Sequence, residues 1–118
     1  MIVSRNSEVP EQVISNIEGK PMGGIMILRA LMTGDSMTLL EVRFGAGAVS
    51  PLHIHSHESL IYVVKGKLRV TVGDESHILG PGDACRNPAG VSHAVEALDE
   101  STFVEVKSPA PKLDSFLA

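Results

Sequence analysis

From Gly23 onward, short apolar runs alternate with turn residues every eight to twelve positions. Leu68-Arg69-Val70-Thr71-Val72 shows the pattern most clearly: apolar and polar residues alternate with a period of two, which buries one face of a strand and wets the other. The same reading predicts strands over Gly24–Leu31, Met37–Phe44, Leu52–His55, Leu60–Val64, Lys67–Val72, Glu75–Leu79, Ala84–Asn87, His93–Ala97 and Thr102–Lys107. Turns fall at Thr33–Ser36, Gly45–Gly47, Gly73–Glu75, Gly80–Asp83, Ala89–Gly90 and Asp99–Ser101. Many short, evenly spaced strands predict an all-β sandwich or barrel over residues 23–108. Residues 1–22 are polar, carry Pro10 and Gly19, and read as an N-terminal arm with at most one short helix around Glu11 to Ile17. Ser108-Pro109-Ala110-Pro111 cannot hold regular structure, so residues 109–118 read as a tail over the outside of the barrel.

Composition narrows the classes. The 118 residues suffice for one compact domain with a core, and 43% hydrophobic against 20% charged residues is an ordinary globular balance. With three Phe, one Tyr and no Trp, that core is aliphatic, and stacking platforms for single-stranded nucleic acid are missing. A net charge of −4 argues further against a nucleic-acid partner. The single cysteine, Cys85, excludes an internal disulfide framework, and no apolar run reaches the ~20 residues of a membrane span. The opening segment lacks the apolar stretch of a signal peptide, so the expectation is a soluble cytoplasmic protein with no membrane partner.

His53-Ile54-His55 places two imidazoles at i and i+2 of a predicted strand, hence on one face. Such a pair is placed to hold one divalent ion: Fe, Mn, Ni, Cu or Zn. A third histidine, His93, follows the turn Pro88-Ala89-Gly90. The segment Gly47-(Ala-Val-Ser-Pro-Leu)-His53-Ile54-His55-(Ser-His-Glu)-Ser59, ending at Gly66, resembles the first motif of the cupin superfamily, G-x5-H-x-H-x3,4-E-x6-G. Gly82 through Pro88-Ala89-Gly90, His93 and Ala97 resembles its second, G-x5-P-x-G-x2-H-x3-N. Fifteen residues, Lys67 to Pro81, separate the two, as in small single-domain cupins. The resemblance implies a double-stranded β-helix (jelly-roll) barrel holding one divalent transition metal through His53, His55 and His93. Two positions depart from the motifs: Ser59 stands where a ligand carboxylate would be, and Ala97 where an asparagine would be. The implied site is therefore a neutral three-histidine set with open coordination positions, suited to an anionic oxygen ligand. Three-histidine cupins include Fe(II) thiol dioxygenases and diketone-cleaving dioxygenases. The tail from Ser108 to Leu117 is also similar to that of small cupins that open unsaturated uronate rings through three His and a Gln, although Ser59 replaces that Gln.

Other residues have plainer readings beside the chemical ones. His57 is expected in a solvent-facing turn, with a fourth-ligand role as the alternative. Glu58 has the opposite strand parity to Ser59 and is expected to face outward, becoming a candidate base only if the turn is distorted. One of Arg86 and Asn87 must point inward, and an inward Arg86 would clamp a substrate carboxylate. Tyr62 is a candidate hydroxyl donor or a packing residue. His77, beside Asp74 and Glu75, reads as surface, and Cys85 as a small packing residue. Glycines 47, 66, 82 and 90 serve turn geometry, and Asp83 caps its turn. The leading expectation is a metal-dependent enzyme, dioxygenase-like or a sugar-acid isomerase or ring-opening enzyme, acting on a small anionic metabolite. The alternatives are a non-enzymatic metal- or metabolite-sensing module and a barrel without metal. Exposed edge strands and the long arm predict a homodimer.

Overall fold

The computed structural model describes residues 2–113. Residues 114–118, half of the expected tail and part of the Ser108–Leu117 segment similar to uronate-opening cupins, lie outside the described residues. Among the described residues eleven strands are formed: β1 (Gln12–Val13), β2 (Asn16–Ile17), β3 (Lys20–Pro21), β4 (Met26–Thr33), β5 (Thr38–Phe44), β6 (Glu58–Lys65), β7 (Leu68–Val72), β8 (Glu75–Leu79), β9 (Ala84–Asn87), β10 (His93–Ala97) and β11 (Ser101–Ser108). One sheet runs β1-β4-β5-β11-β6-β9; a second runs β10-β7-β8; β2 and β3 form a separate hairpin. Every pairing is antiparallel. Isolated bridges Val49–Glu96 and His53–His93 tie the segment after β5 to the second sheet, and Gly23–Val49 ties it to the residues before β4.

The arm is not the helix or loose segment that its composition suggests. A single 3-10 turn at Asn6–Glu8 precedes β1, which pairs with β4 through Gln12–Leu28 and Val13–Ile27. Ile14 and Ile17 are buried in the core, so the arm is anchored by two apolar side chains. The expected strand Leu52–His55 does not form a ladder either. Pro51 has no N–H to donate, and the segment keeps the reciprocal main-chain pair between His53 and His93, at 3.0 and 2.9 Å, and a bond from the Gly90 N–H to the His55 carbonyl at 2.9 Å.

Register turns the strand alternation into layers. Thr38, Lys107, Ser59 and Asn87 lie side by side across β5, β11, β6 and β9, all facing in. The next inward layer is Leu40, Glu105, Ile61 and Cys85, and the one beyond is Val42, Phe103 and Val63. The interior therefore grades from polar to apolar along the strands. At the apolar end Phe44 and Phe103 meet edge to face with centroids 5.4 Å apart. The end of β6 is fixed by Gly66, whose φ of +94° suits glycine. A Cβ there would overlap Ser101 Oγ and the Glu100 carbonyl and come within 2.7 Å of Ser101 Cα.

Candidate metal centre

Three imidazoles converge at the polar end of this interior. His53 and His55 arrive on the extended segment after Pro51, and His93 opens β10 directly across the bridge from His53. All three side chains are buried. Ring centroids lie 4.4 Å apart for His53–His55, 4.2 Å for His53–His93 and 5.0 Å for His55–His93. One nitrogen from each falls within 4.8 Å of the others, a spacing at which one ion can be shared.

The hydrogen bonds specify which nitrogen. His53 Nδ1 donates to the Pro51 carbonyl, His93 Nδ1 to the Val91 carbonyl at 3.4 Å, and His55 Nδ1 to Glu18 Oε1 at 2.9 Å. With each Nδ1 engaged as a donor, each Nε2 carries the lone pair that a metal requires. Burial pushes the His53 imidazole down to about 4 and the His55 imidazole down to about 2, with the Lys107 ammonium adding to both. Burial lowers His93 as well. The donors are thus neutral at physiological pH, which fits a divalent transition ion. The adjoining cavity, about 30 Å³, has room for an ion and a water or two.

Lys107 and Glu105, side by side on the inner face of β11, make a second polar group beside the cluster. Lys107 Nζ donates to Glu105 Oε2 at 3.2 Å and to His57 Nε2 at 3.1 Å. Burial alone would raise the Glu105 carboxyl, but the Lys107 ammonium and hydrogen bonds from Ser59 and Lys107 hold it below the usual carboxylate range. Asn87 Nδ2 donates to Ser59 Oγ at 3.0 Å, completing the polar layer.

A family profile described as "Cupin domain" matches residues 40–106, more than half of the chain. This chain is a cupin. Oxalate decarboxylase OxdC of Bacillus subtilis (strain 168) is 33% identical over 78 residues, covering 62% of this cupin and 20% of that protein. Quercetin 2,3-dioxygenase of the same organism is 38% identical over 64 residues, 52% of this chain and 19% of that protein. The cupin therefore spans about a fifth of the length of these curated relatives. Among solved structures, KdgF from Halomonas sp. superposes with a TM-score of 0.81 at 26% identity, covering 95% of this chain and 97% of that one. An RmlC-like cupin from Shewanella frigidimarina gives 0.81 at 24% identity, with 95% and 94% covered, a likeness of fold. The all-β jelly-roll expectation holds.

Within the cupin, the residues singled out from sequence fall into two groups. His53, His55 and His93 are brought together. His57 is buried rather than solvent-facing: the chain between His55 and β6 turns inward and stacks its ring on that of His55 at 4.3 Å. Its Nε2 is taken up by Lys107, so it stands outside the converging nitrogens. Asn87, not Arg86, faces in. Glu58, Tyr62 and Arg86 all lie on the outer face of the large sheet, with Arg86 Nε donating to Glu58 Oε2 at 2.7 Å. His77 is exposed on β8, as expected, and Asp83 Oδ2 accepts from Gly80 N at 2.8 Å, capping its turn. Burial pushes the Cys85 thiol up to about 11, which suits packing and not nucleophilic use. Sequence reading did not find Glu18, Glu105 or Lys107. Parity with Phe103 carries a signal for the last two, whereas nothing local to Glu18 connects it to a histidine 37 residues away.

The depressed imidazoles set a direction for stability against pH. His53 and His57 titrate at about 4 when folded and near 6.5 when unfolded, so between these values the unfolded chain binds more protons. The metal-free protein is therefore expected to lose stability progressively as pH falls from about 6.5 to 4, with the lowered Glu105 acting in the same sense. Thermal melts from pH 7.5 to 4 check this; a flat melting temperature between pH 7 and 5 would contradict the burial of neutral imidazoles.

Proposed function

We propose that this cupin is a metal-dependent enzyme acting on a small anionic metabolite at the His53, His55 and His93 centre. The observation that carries the reading is the donor set: three buried imidazoles presenting Nε2, with no carboxylate among the converging atoms. A bound divalent ion would supply Lewis-acid polarisation or oxygen activation, and its positive charge would be left uncompensated by neutral ligands. His53, His55 and His93 would hold the ion, and three protein ligands would leave it able to take a substrate oxygen. Lys107, buried nearby, is paired with Glu105, whose carboxylate is in turn held by the Ser59 hydroxyl, so an ion pair borders the centre. The wall beyond is apolar, formed by Leu40, Ile61 and Phe103, and keeps bulk water from the reacting end. Two relatives are named for chemistry of this type, oxalate decarboxylase and quercetin 2,3-dioxygenase.

A second reading, metal or metabolite binding without turnover, is favoured by the small cavity. Protein loaded separately with Fe(II), Mn(II), Ni(II), Cu(II) or Zn(II) separates the two when presented with small carboxylates, β-diketones and unsaturated uronates. Oxygen uptake, carbon dioxide release or loss of the uronate chromophore is expected with at least one pairing. Metal binding with no product across the panel would leave the sensing module as the function.

The proposal includes a cytoplasmic homodimer. Leu60, Tyr62 and Val64 are each about half exposed on the outer face of β6, beside Val104 and Val106 of β11, and a second copy would cover this apolar stripe. Sedimentation of a monomer at micromolar concentration would remove this part. The compartment is supported by the one unpaired cysteine. Among the described residues no helix is long and apolar enough to cross a membrane.

A further inference from the structure

We infer that Glu18 is a positioning residue of the metal centre, delivered by an N-terminal hairpin that lies outside the family-matched segment. The inference rests on the reading that His53, His55 and His93 hold an ion. It begins from an asymmetry among the three imidazoles. His53 and His93 are each held by the carbonyl of the residue two positions earlier, Pro51 and Val91, so their orientation is set locally. The His55 Nδ1 acceptor is the Glu18 carboxylate, 37 residues away, so this ring's orientation depends on how the hairpin docks.

The hairpin is built for that delivery. β2 and β3 pair Asn16 with Pro21 and Ile17 with Lys20, leaving Glu18-Gly19 as a two-residue loop. Both loop residues have positive φ, +50° for Glu18 and +74° for Gly19, the geometry of the turn that favours Asn, Asp or Gly at its first position. Glu18 is the one non-glycine residue with positive φ among those described. Local backbone preference does not account for a glutamate here; contact with His55 does. Two anchors hold the loop against the histidine segment. Ile17 is buried and lines the cavity, and Lys20 Nζ donates to the Leu52 carbonyl at 2.9 Å.

The chemistry follows from the charge. A carboxylate accepting Nδ1–H fixes the tautomer with the lone pair on Nε2 and makes that nitrogen a stronger donor than a carbonyl acceptor would. It also places a negative charge one bond network away from an ion whose neutral ligands compensate none of its own. Position 59 supplies no carboxylate to the centre, and Glu18 supplies one behind His55.

The test compares Co(II) and Zn(II) affinity, by competition with a chromophoric chelator, for the parent, Glu18→Gln and Glu18→Gly. Glycine suits the backbone at this position, so Glu18→Gly is expected to leave the metal-free melting temperature within about 3 °C of the parent. Its metal affinity is expected to fall roughly 10- to 100-fold, with Glu18→Gln showing a smaller loss in the same direction. The visible spectrum of bound Co(II) should shift in both variants. Hydrogen exchange of the backbone amides of residues 15–20 and 22 should slow on metal addition in the parent and not in Glu18→Gly, because coupling between hairpin and ion is reciprocal. A residue that only supports the fold would move melting temperature and affinity together and leave the Co(II) spectrum unchanged. Variant affinities within twofold of the parent with an unaltered spectrum would overturn the inference while the metal centre stands. A parent that binds neither ion would overturn both.

Discussion

Replacing His93 with alanine is expected to reduce the bound divalent metal from about one equivalent per chain to less than about a tenth. Among the described residues the donor set has no spare member. Three neutral imidazoles converge, His57 offers its Nε2 to Lys107, and position 59 is a serine whose hydroxyl is engaged with Asn87. Two imidazoles and water would then have to hold an ion against buffer and chelator. The fold is expected to survive, because His93 ties the two sheets through its main chain: its N–H and carbonyl pair with those of His53 whatever the side chain. Circular dichroism of the variant should match the parent. His77→Ala is the matched control, since His77 is exposed on β8 and should leave metal content unchanged. Metal analysis by mass spectrometry on untagged protein makes the measurement, and a His93→Ala variant retaining half an equivalent or more would show that the ion is held elsewhere.

The second large effect is on stability. Lys107→Met is expected to cost about 3–5 kcal/mol, because it removes the ammonium that compensates the buried Glu105 carboxylate. For a domain of this size that corresponds to a fall in melting temperature of roughly 10–20 °C. The pair itself is not the source of net stability, since two desolvated charges recover little more than they cost to bury. Lys107→Met combined with Glu105→Leu should therefore regain most of the loss, as an apolar pair replaces an ionic one next to Leu40 and Ile61. Thermal melts of the single and double variants decide the matter. A single variant within 3 °C of the parent would mean that Glu105 is not held as a buried anion.

The layered interior explains what the sequence could and could not reveal. β8, β9 and β10 have the bounds that alternation and turn residues predict, and glycines 47, 66, 82 and 90 all have positive φ as their turns required. Strand parity made His53 and His55 legible as a pair on one face, and the resemblance to the cupin motifs added His93 as the third member of the set. Thr102–Lys107 was legible as a strand but not as to its facing. Hydropathy would bury Val104 and Val106, yet the only aromatic in the segment, Phe103, shares parity with Glu105 and Lys107, and it is this set that faces in. His57 was misplaced because a residue between a histidine pair and a strand looks like a turn tip, whereas stacking on His55 draws it inward. Glu18 could not be found at all, since the hairpin's docking, and not any local pattern, brings it to His55.

The close approach of Gly66 to Ser101 has a consequence at the far end of the barrel. A slip of β11 by one residue would turn Val104 and Val106 inward and swing Glu105 and Lys107 out to water, an exchange that burial alone would favour. The tight seat of Ser101 against a residue with no side chain acts as the datum from which β11 is measured out. Lys107 lies six residues further along, roughly 20 Å away in an extended strand. The charge beside the histidines is thus set by a steric fit made where no chemistry occurs, and a methyl group added at position 66 would be felt first as a misplaced ammonium.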